Sequence, residues 1–187
     1  MQPVFWFDLG SPESYLAAER VMAELPVVPE WVPILETALP GHAPGDPAAR
    51  RAAVERAAGA QHVQPLRWPP AWPDGDPRPA MVAATYAKQI GRAVAFSLAA
   101  FRQAFAGGRG LDEDTILLAA AACEMHPRAV VQALGRASVG AALDAATARA
   151  GEAGVRQTPA LALGDVVFEG ADAVERAARA LEGGAAA

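Results

Sequence analysis

A serine hydroxyl stands at the start of a predicted helix, where it could take part in chemistry. Ser11 follows an apolar run at residues 4–7 and precedes Pro12, after which apolar residues recur at helical spacing. The free N–H groups and dipole of a helix N-terminus stabilise an anion by about 0.3–1 kcal/mol at the surface, and by up to about 2 kcal/mol in a partly buried site. We therefore expect a thiolate or carboxylate ligand to be stabilised at Ser11. The alternative is a purely structural cap, because serine and proline are both favoured at these positions.

Two elements must hold this hydroxyl in place. Residues 4–7 have the sequence VFWF, and this short apolar and aromatic run predicts a strand buried on both faces. The helix that follows is predicted to begin at Pro12 and to end before Pro26. Its apolar side chains recur at helical spacing, and they are Tyr15, Ala18, Met22 and Leu25.

Three further strands are predicted. Residues 27–35 are rich in β-branched and aromatic types, but Pro29 and Pro33 remove two hydrogen-bond donors, which indicates an edge strand or a bulge. Residues 160–163 and 166–168 predict two short strands joined by a turn at Gly164 and Asp165. A last helix is predicted over residues 171–181.

The middle of the chain differs from its two ends in composition and in periodicity. Nine of the sixteen prolines lie between residues 40 and 79, on either side of a predicted helix at 48–58. Residues 80–149 have helical periodicity, which predicts four or five helices. The order strand, helix, strand, helical lobe, strand, strand, helix predicts an α/β protein with a thioredoxin-like fold and a large all-helical insertion. We expect residues 1–39 with 151–187 to form the thioredoxin-like domain and residues 40–150 to form the insertion.

The segment around Ser11 resembles the N-terminal motif of a known family. Residues 5–16 read FWFDLGSPESYL, close to the pattern F-x-F-D-x-x-S-P-x-S-Y/W-L of 2-hydroxychromene-2-carboxylate isomerases and kappa-class glutathione transferases. This family belongs to the DsbA-like branch of thioredoxin folds. The resemblance extends to the helical lobe, to PLRWPP at residues 65–70 and to GVRQTP at residues 154–159.

The resemblance implies a set of site residues. It implies that Ser11 is catalytic and holds the thiol of glutathione or of another low-molecular-weight thiol. It also implies that Thr158 precedes a cis peptide bond to Pro159 and offers backbone hydrogen bonds to this cofactor, opposite Ser11. Ala171 and Asp172 fall where the family binds the γ-glutamyl amine.

The activity that the resemblance implies is an isomerase or transferase acting on a small aromatic or unsaturated carbonyl compound. Trp68 and Trp72, in the proline-rich segment, are candidates for covering an aromatic substrate, and the alternative is that they pack the loop onto the helical lobe. We expect a small-molecule substrate as the binding partner and a homodimer as the assembly.

Two features depart from the family pattern. The proline loop contains Arg156, Gln157 and Thr158 where the family usually has Phe-Gly-Val, and the family's Asn and Lys contacts to glutathione have no match at Arg50 or Arg51 or at the neighbouring Asp46. A second hypothesis is therefore a redox-inactive, DsbA-like binding or scaffold protein that uses the same groove.

The cysteine and histidine content limits the disulfide and metal chemistry that we expect of this chain. Cys123 is the single cysteine, so no intrachain disulfide can form, and we expect a protein that is not a disulfide oxidoreductase. Its alanine-rich surroundings predict a buried core position, with a reactive thiol as the alternative. The three histidines are too few and scattered to predict a metal site, and they are His42, His62 and His126.

Charge and hydropathy exclude other partner classes. A net charge of -5 and a pI near 5.2 provide no basic surface for nucleic acid. No uninterrupted apolar stretch reaches the roughly 18 residues that span a bilayer, so no membrane association is expected. The first residues lack a basic segment followed by an apolar one, so no signal peptide is predicted and we expect a cytoplasmic protein.

Overall fold

A four-stranded sheet organises the chain, and a computed structural model describes residues 2–184. The strands are β1 (Val4–Phe7), β2 (Glu30–Pro33), β3 (Ala160–Leu163) and β4 (Val166–Glu169), in the spatial order β2-β1-β3-β4. β1 pairs in parallel with β2 and antiparallel with β3, and β3 pairs antiparallel with β4. The predicted hairpin is therefore confirmed. Residues 185–187, assigned above to the thioredoxin-like domain, lie outside the described residues, as does Met1.

Helices surround this sheet. They are α1 (Pro12–Glu24), α2 (Pro47–Ala60), α3 (Arg78–Gln89), α4 (Ala93–Phe101), α5 (Glu113–Ala122), α6 (Pro127–Leu134), α7 (Ala137–Glu152) and α8 (Ala173–Gly184). Five of them lie between residues 78 and 152, at the upper end of the predicted number. Among the described residues, none of these helices is long and apolar enough to cross a membrane.

The second strand is shorter than predicted. The sequence predicts a strand over residues 27–35, whereas β2 comprises Glu30–Pro33. Val27 and Val28 instead lie in an exposed connection after α1, where no neighbouring strand covers their side chains. The predicted edge position is confirmed, because β2 pairs only with β1 among the described strands.

Each face of the sheet carries its own apolar core. On one face the rings of Phe5 and Phe7 pack against Trp31, and Phe7 also contacts Phe101 from α4. The other face buries a smaller core, made of Trp6, Val32, Ile34, Leu39, Ala146, Ala150, Val155, Ala160 and Ala162. Because α4 and α7 belong to the segment 40–150, the proposed insertion shares both cores with the sheet. The division into two domains stays a prediction.

The end of α4 changes its winding. Residues Arg102–Ala106 form a π-helical turn that continues α4. The carbonyl of Phe105 accepts a hydrogen bond from the Arg67 N–H at 2.7 Å, which joins the proline-rich segment to this turn. π-helical turns often occur at functional sites, and this one carries the Phe105 ring to the wall of a cavity described below.

Gly151 in α7 packs against the ring of Pro40, so Gly151→Ala is expected to destabilise the fold. An added Cβ would lie 2.8 Å from Pro40 Cδ, closer than carbon atoms can approach. Relieving this overlap should cost about 1–3 kcal/mol of unfolding free energy. Urea denaturation measures the change.

A second glycine of the same helix is the control. The nearest atom to a Cβ at Gly140 is Arg78 Nη2, at 3.9 Å. Gly140→Ala should therefore stabilise the helix by about 0.5–1 kcal/mol, since alanine loses less backbone entropy than glycine on folding. Equal shifts in both variants would contradict the tight contact between α7 and the loop after β2.

Candidate functional site

Ser11 is the N-cap of α1, as the sequence predicts. Its Oγ accepts a hydrogen bond from the Ser14 N–H at 3.2 Å, and Pro12 is the first helical residue. The Ser11 hydroxyl has two acceptors within reach, Glu13 Oε2 at 3.2 Å and the Thr158 carbonyl at 3.4 Å. Ser11 is 2% exposed, so very little of its surface is open to a ligand.

The Thr158–Pro159 peptide bond faces Ser11. The bond is cis, and the 3.4 Å distance from Ser11 Oγ to the Thr158 carbonyl oxygen places the two segments side by side. The prediction of a cis-proline opposite Ser11 is confirmed. The Thr158 N–H donates to no acceptor among residues 2–184, so this backbone donor is available to a ligand.

A buried carboxyl group holds the loop that carries Ser11. Asp8 Oδ1 accepts a hydrogen bond from the Gly10 N–H at 2.8 Å, and Asp8 Oδ2 accepts one from the Glu36 N–H, also at 2.8 Å. Burial raises the pKa of Asp8 to about 7, although these two backbone hydrogen bonds act in the opposite direction. Asp8 thereby ties the end of β1 to the segment that follows β2.

A polar cavity of about 480 Å³ lies on one side of Ser11. We call it the polar cavity, and Ala171 is among the residues that line it. Its charged and polar walls are formed by Glu13, Glu36, His42, Arg50, Arg156, Gln157 and Thr158. These residues come from α1, the segment after β2, α2 and the two loops that precede β3 and α8.

Arg50 pairs with the carboxylates of two residues that line the polar cavity. It donates to both carboxylate oxygens of Glu13, at 2.7 and 2.6 Å, and its Nη2 lies 3.7 Å from Glu36 Oε1. Thr158 Oγ1 donates to Glu36 Oε2. Burial raises the pKa of Glu36, while the Thr158 hydrogen bond and the Arg50 charge lower it in part.

An apolar cavity of about 380 Å³ lies on the other side of the Ser11 loop. We call it the apolar cavity, and its walls include Gly10, Trp72, Pro77, Phe105 and Leu111. The Cβ of Pro77 would lie 3.1 Å from a Cβ at position 10, so glycine favours this close approach of the two loops.

Trp68 and Trp72 occupy different positions. Their rings pack at 4.5 Å, and the Arg51 guanidinium lies 4.6 Å from the Trp68 ring. Trp72 lines the apolar cavity, whereas Trp68 donates its Nε1–H to Glu55 and packs against Phe105 without forming part of the cavity wall. Of the two tryptophans, Trp72 is therefore the one placed to contact a ligand.

Two of the remaining predicted ligand residues lie at the polar cavity, and one lies outside it. Ala171 lines the polar cavity, and Pro159 forms the cis bond next to it. The side chain of Asp172 is 66% exposed and pairs with Arg176 at 3.2 Å, outside the wall of the polar cavity. The structure does not bring Asp172 to the other candidates, and its binding role stays a prediction.

Glu36 and Arg50 are the functional candidates that sequence reasoning missed. A signal for Glu36 exists, because it follows β2 as Asp8 follows β1, and the carboxyl ends of parallel strands meet at one edge of a sheet. Arg50 gives no such signal, since only the packing of α2 brings it to Glu13.

Cys123 lies apart from this site. It is buried at the end of α5, and burial raises the pKa of its thiol, so the predicted core position is confirmed. Within residues 2–184, no three side chains of the His, Cys, Asp and Glu types form a group suited to a metal ion.

Comparisons with known proteins agree with this architecture. A family model described as a DSBA-like thioredoxin domain matches residues 4–182. A structure of 2-hydroxychromene-2-carboxylate isomerase superposes with a TM-score of 0.84 at 21% identity, covering 97% of this chain and 95% of that one. A probable DsbA oxidoreductase from Streptomyces coelicolor gives a TM-score of 0.77 at 21% identity, with coverages of 97% and 88%.

A thioredoxin-like oxidoreductase from Silicibacter pomeroyi is more distant, with a TM-score of 0.59, 18% identity and coverages of 100% of this chain and 87% of that one. A search of curated proteins finds no match. At these identities the likeness establishes the fold, and the predicted α/β, thioredoxin-like fold is confirmed.

Proposed function

The chain belongs to the DSBA-like thioredoxin domain family, and from this premise we propose that it is a thiol-dependent isomerase or transferase. The cofactor is glutathione or another low-molecular-weight thiol, and the substrate is a small aromatic or unsaturated carbonyl compound. The observation that carries the proposal is the position of the Ser11 loop between two cavities. Gly10 lines the apolar cavity, and Glu13 lines the polar one.

The polar cavity suits the thiol cofactor. A thiol that contacts Ser11 and Thr158 from the polar cavity would lie near the N-terminus of α1, where the helix dipole favours a thiolate. The unpaired Thr158 N–H and its carbonyl oxygen can pair with a peptide backbone such as that of glutathione. The charges of Glu13 and Arg50 match a ligand that carries both an amino group and carboxylates.

The apolar cavity suits the substrate. The rings of Trp72 and Phe105 offer flat apolar surface for an aromatic group. A thiolate that adds to a conjugated double bond leaves a single bond, about which the substrate rotates before the thiolate is expelled. The protein then needs only to form the thiolate, orient the substrate and stabilise transient negative charge.

A second candidate function is that of a redox-inactive binding protein. Two observations favour it, the burial of Ser11 and the exposure of Asp172 outside the polar cavity. In this case the polar cavity would bind a peptide or small ligand without activating a thiol. Neither candidate uses disulfide exchange, because Cys123 is the single cysteine and is buried in the core.

Titration with reduced glutathione separates the two candidates. We expect saturable heat with the wild-type chain and ultraviolet absorbance of a thiolate in the complex. Ser11→Ala should lower the rate of glutathione addition to an α,β-unsaturated ketone by about 10²–10³, the cost of one lost donor to developing charge. S-methylglutathione, which has no thiol proton, is the control ligand and should bind without the absorbance change. Absence of saturable heat with either ligand would overturn the thiol proposal and support the binding protein.

A further inference from the structure

Glu36 has the geometry of a proton acceptor in the polar cavity. We propose that the Glu36 carboxylate takes the proton of the bound thiol, so that a thiolate forms without adding net negative charge to the cavity. This inference rests on the proposed function, and it assigns the step that starts the chemistry at Ser11.

Two hydrogen bonds hold Glu36, one through its backbone and one through its carboxylate, and they leave one carboxylate oxygen free. The backbone N–H of Glu36 donates to Asp8 at 2.8 Å, and its Oε2 accepts the Thr158 hydroxyl. Its Oε1 accepts no hydrogen bond from the described residues, and Glu36 lines the polar cavity. Thr158 therefore holds the carboxylate beside the place where a thiol would face Ser11.

The charges around Glu36 favour this transfer. Arg50 faces Glu36 from α2 at 3.7 Å, but Glu13 already takes two of its hydrogen bonds. Asp8 adds a third carboxyl group behind Glu36, and His42 lies 3.8 Å from its Oε1. Arg156 also lines the cavity, but its Nη1 donates to the carbonyls of Gly151 and Val155. A thiolate formed beside an ionised Glu36 would therefore meet two carboxylates that share the Arg50 guanidinium. Moving the thiol proton to Glu36 keeps the total charge unchanged and so avoids this repulsion.

The neighbouring acids are less suited to accept the proton. Both oxygens of Asp8 accept backbone N–H groups, and Asp8 does not line the polar cavity. Both oxygens of Glu13 accept from Arg50, and one of them also accepts from Ser11. Glu36 is thus the acid of this cluster that combines a free oxygen with contact to the cavity.

The step balances without a further reactant. The S–H bond breaks, its electron pair stays on sulfur, and an O–H bond forms at Glu36 Oε1. The thiolate then accepts the Ser11 hydroxyl, which exchanges its present acceptors Glu13 and the Thr158 carbonyl for sulfur. Nothing is oxidised or reduced.

Counting protons during glutathione binding tests the proposal. Calorimetry near neutral pH in two buffers of different ionisation enthalpy gives the protons released, and ultraviolet absorbance gives the thiolate formed. Wild-type protein should form thiolate and release almost no protons. In Glu36→Gln, each thiolate that forms should release about one proton, because the carboxylate that accepts the proton is gone. Release of one proton by the wild type would overturn the role of Glu36.

Two variants separate this role from a structural one. Thr158→Val removes the hydroxyl donor that holds the Glu36 carboxylate, so less thiolate should form for each glutathione bound, while the thiolate that does form should still release almost no protons. His42→Asn should also retain the proton, because it leaves Glu36 intact, and loss of retention here would assign the proton to His42. Full proton release by the wild type overturns the role of Glu36 even if Glu36→Gln does not fold, and retention that persists in His42→Asn supports it. Absence of glutathione binding would overturn the proposed function as well, whereas binding with thiolate and full proton release would overturn only the role of Glu36.

Discussion

The double variant Ser11→Cys, Ser14→Cys is expected to gain disulfide-exchange activity. In a Cys123→Ala background, the double variant together with dithiothreitol should reduce insulin faster than dithiothreitol alone does. The native chain has one cysteine and cannot form an intrachain disulfide, so the expected change is from no such centre to a working one.

The geometry at the start of α1 supports this expectation. The Ser14 N–H donates to Ser11 Oγ at 3.2 Å, and a cysteine sulfur at position 11 would meet the same donor and the same helix dipole. The leading thiol of a Cys-x-x-Cys pair at a helix N-terminus has a pKa of about 3.5–7.5. The cis bond at Pro159 faces this position, on the side where a substrate peptide would pair.

The single variant Ser11→Cys is the matched control for the double one. It presents the leading thiol without a second cysteine to resolve the mixed disulfide, so it should form mixed disulfides and show no catalytic turnover.

A third variant tests the charge of Glu13, whose Oε2 lies 3.2 Å from Ser11 Oγ. Adding Glu13→Gln to the cysteine pair should lower the leading pKa further. A leading thiol that titrates near 8.5, or a cysteine pair that never oxidises, would contradict the placement of α1.

Local patterns in the sequence predicted the elements that hold Ser11. β1 was predictable from a run of four apolar residues, and the start of α1 from the Ser11 and Pro12 pair, because both signals depend only on adjacent residues. The limits of β2 were not predictable in this way. β-branched residues at 27 and 28 favour a strand, but the backbone there has left the sheet and the side chains are exposed.

In the site, too, local motifs could be predicted from the sequence, whereas contacts between residues far apart in the chain could not. The motif around Ser11 and the loop before Pro159 marked two of its walls. The ion pair between Arg50 and Glu13 joins residues 37 positions apart, and the contact of Thr158 with Glu36 joins residues 122 apart. No pattern within one element encodes such pairs, so they required the folded chain.

Asp8 is part of the motif around Ser11, but its role could not be predicted from the sequence. Its function depends on burial, which a motif does not report. Desolvation raises its pKa from 3.8 to about 7, so the folded chain keeps a proton on Asp8 at pH values where the unfolded chain has lost it. The folded state therefore binds more protons than the unfolded state between about pH 4 and pH 7.

This difference predicts that ionisation of Asp8 lowers the stability of the folded protein as the pH rises from about 4 to about 7. Stability falls with pH wherever the folded state binds more protons, and a pKa raised by about 3 units corresponds to about 4 kcal/mol over the whole window. Urea denaturation at a series of pH values measures the slope. Glu36, whose pKa burial also raises, contributes a fall of the same sign.

Asp8→Asn should remove the part of this slope that belongs to Asp8, because asparagine does not titrate. Asp144→Asn is the control: Asp144 is exposed and its hydrogen bonds to Arg78 lower its pKa, so this variant should keep the fall between pH 4 and pH 7. A slope that is unchanged in Asp8→Asn but disappears in Glu36→Gln would assign the titration to Glu36. Because the Asp8 carboxyl group holds the N–H groups of Gly10 and Glu36, the group that costs stability when ionised also fixes one residue of each cavity, Gly10 in the apolar cavity and Glu36 in the polar one.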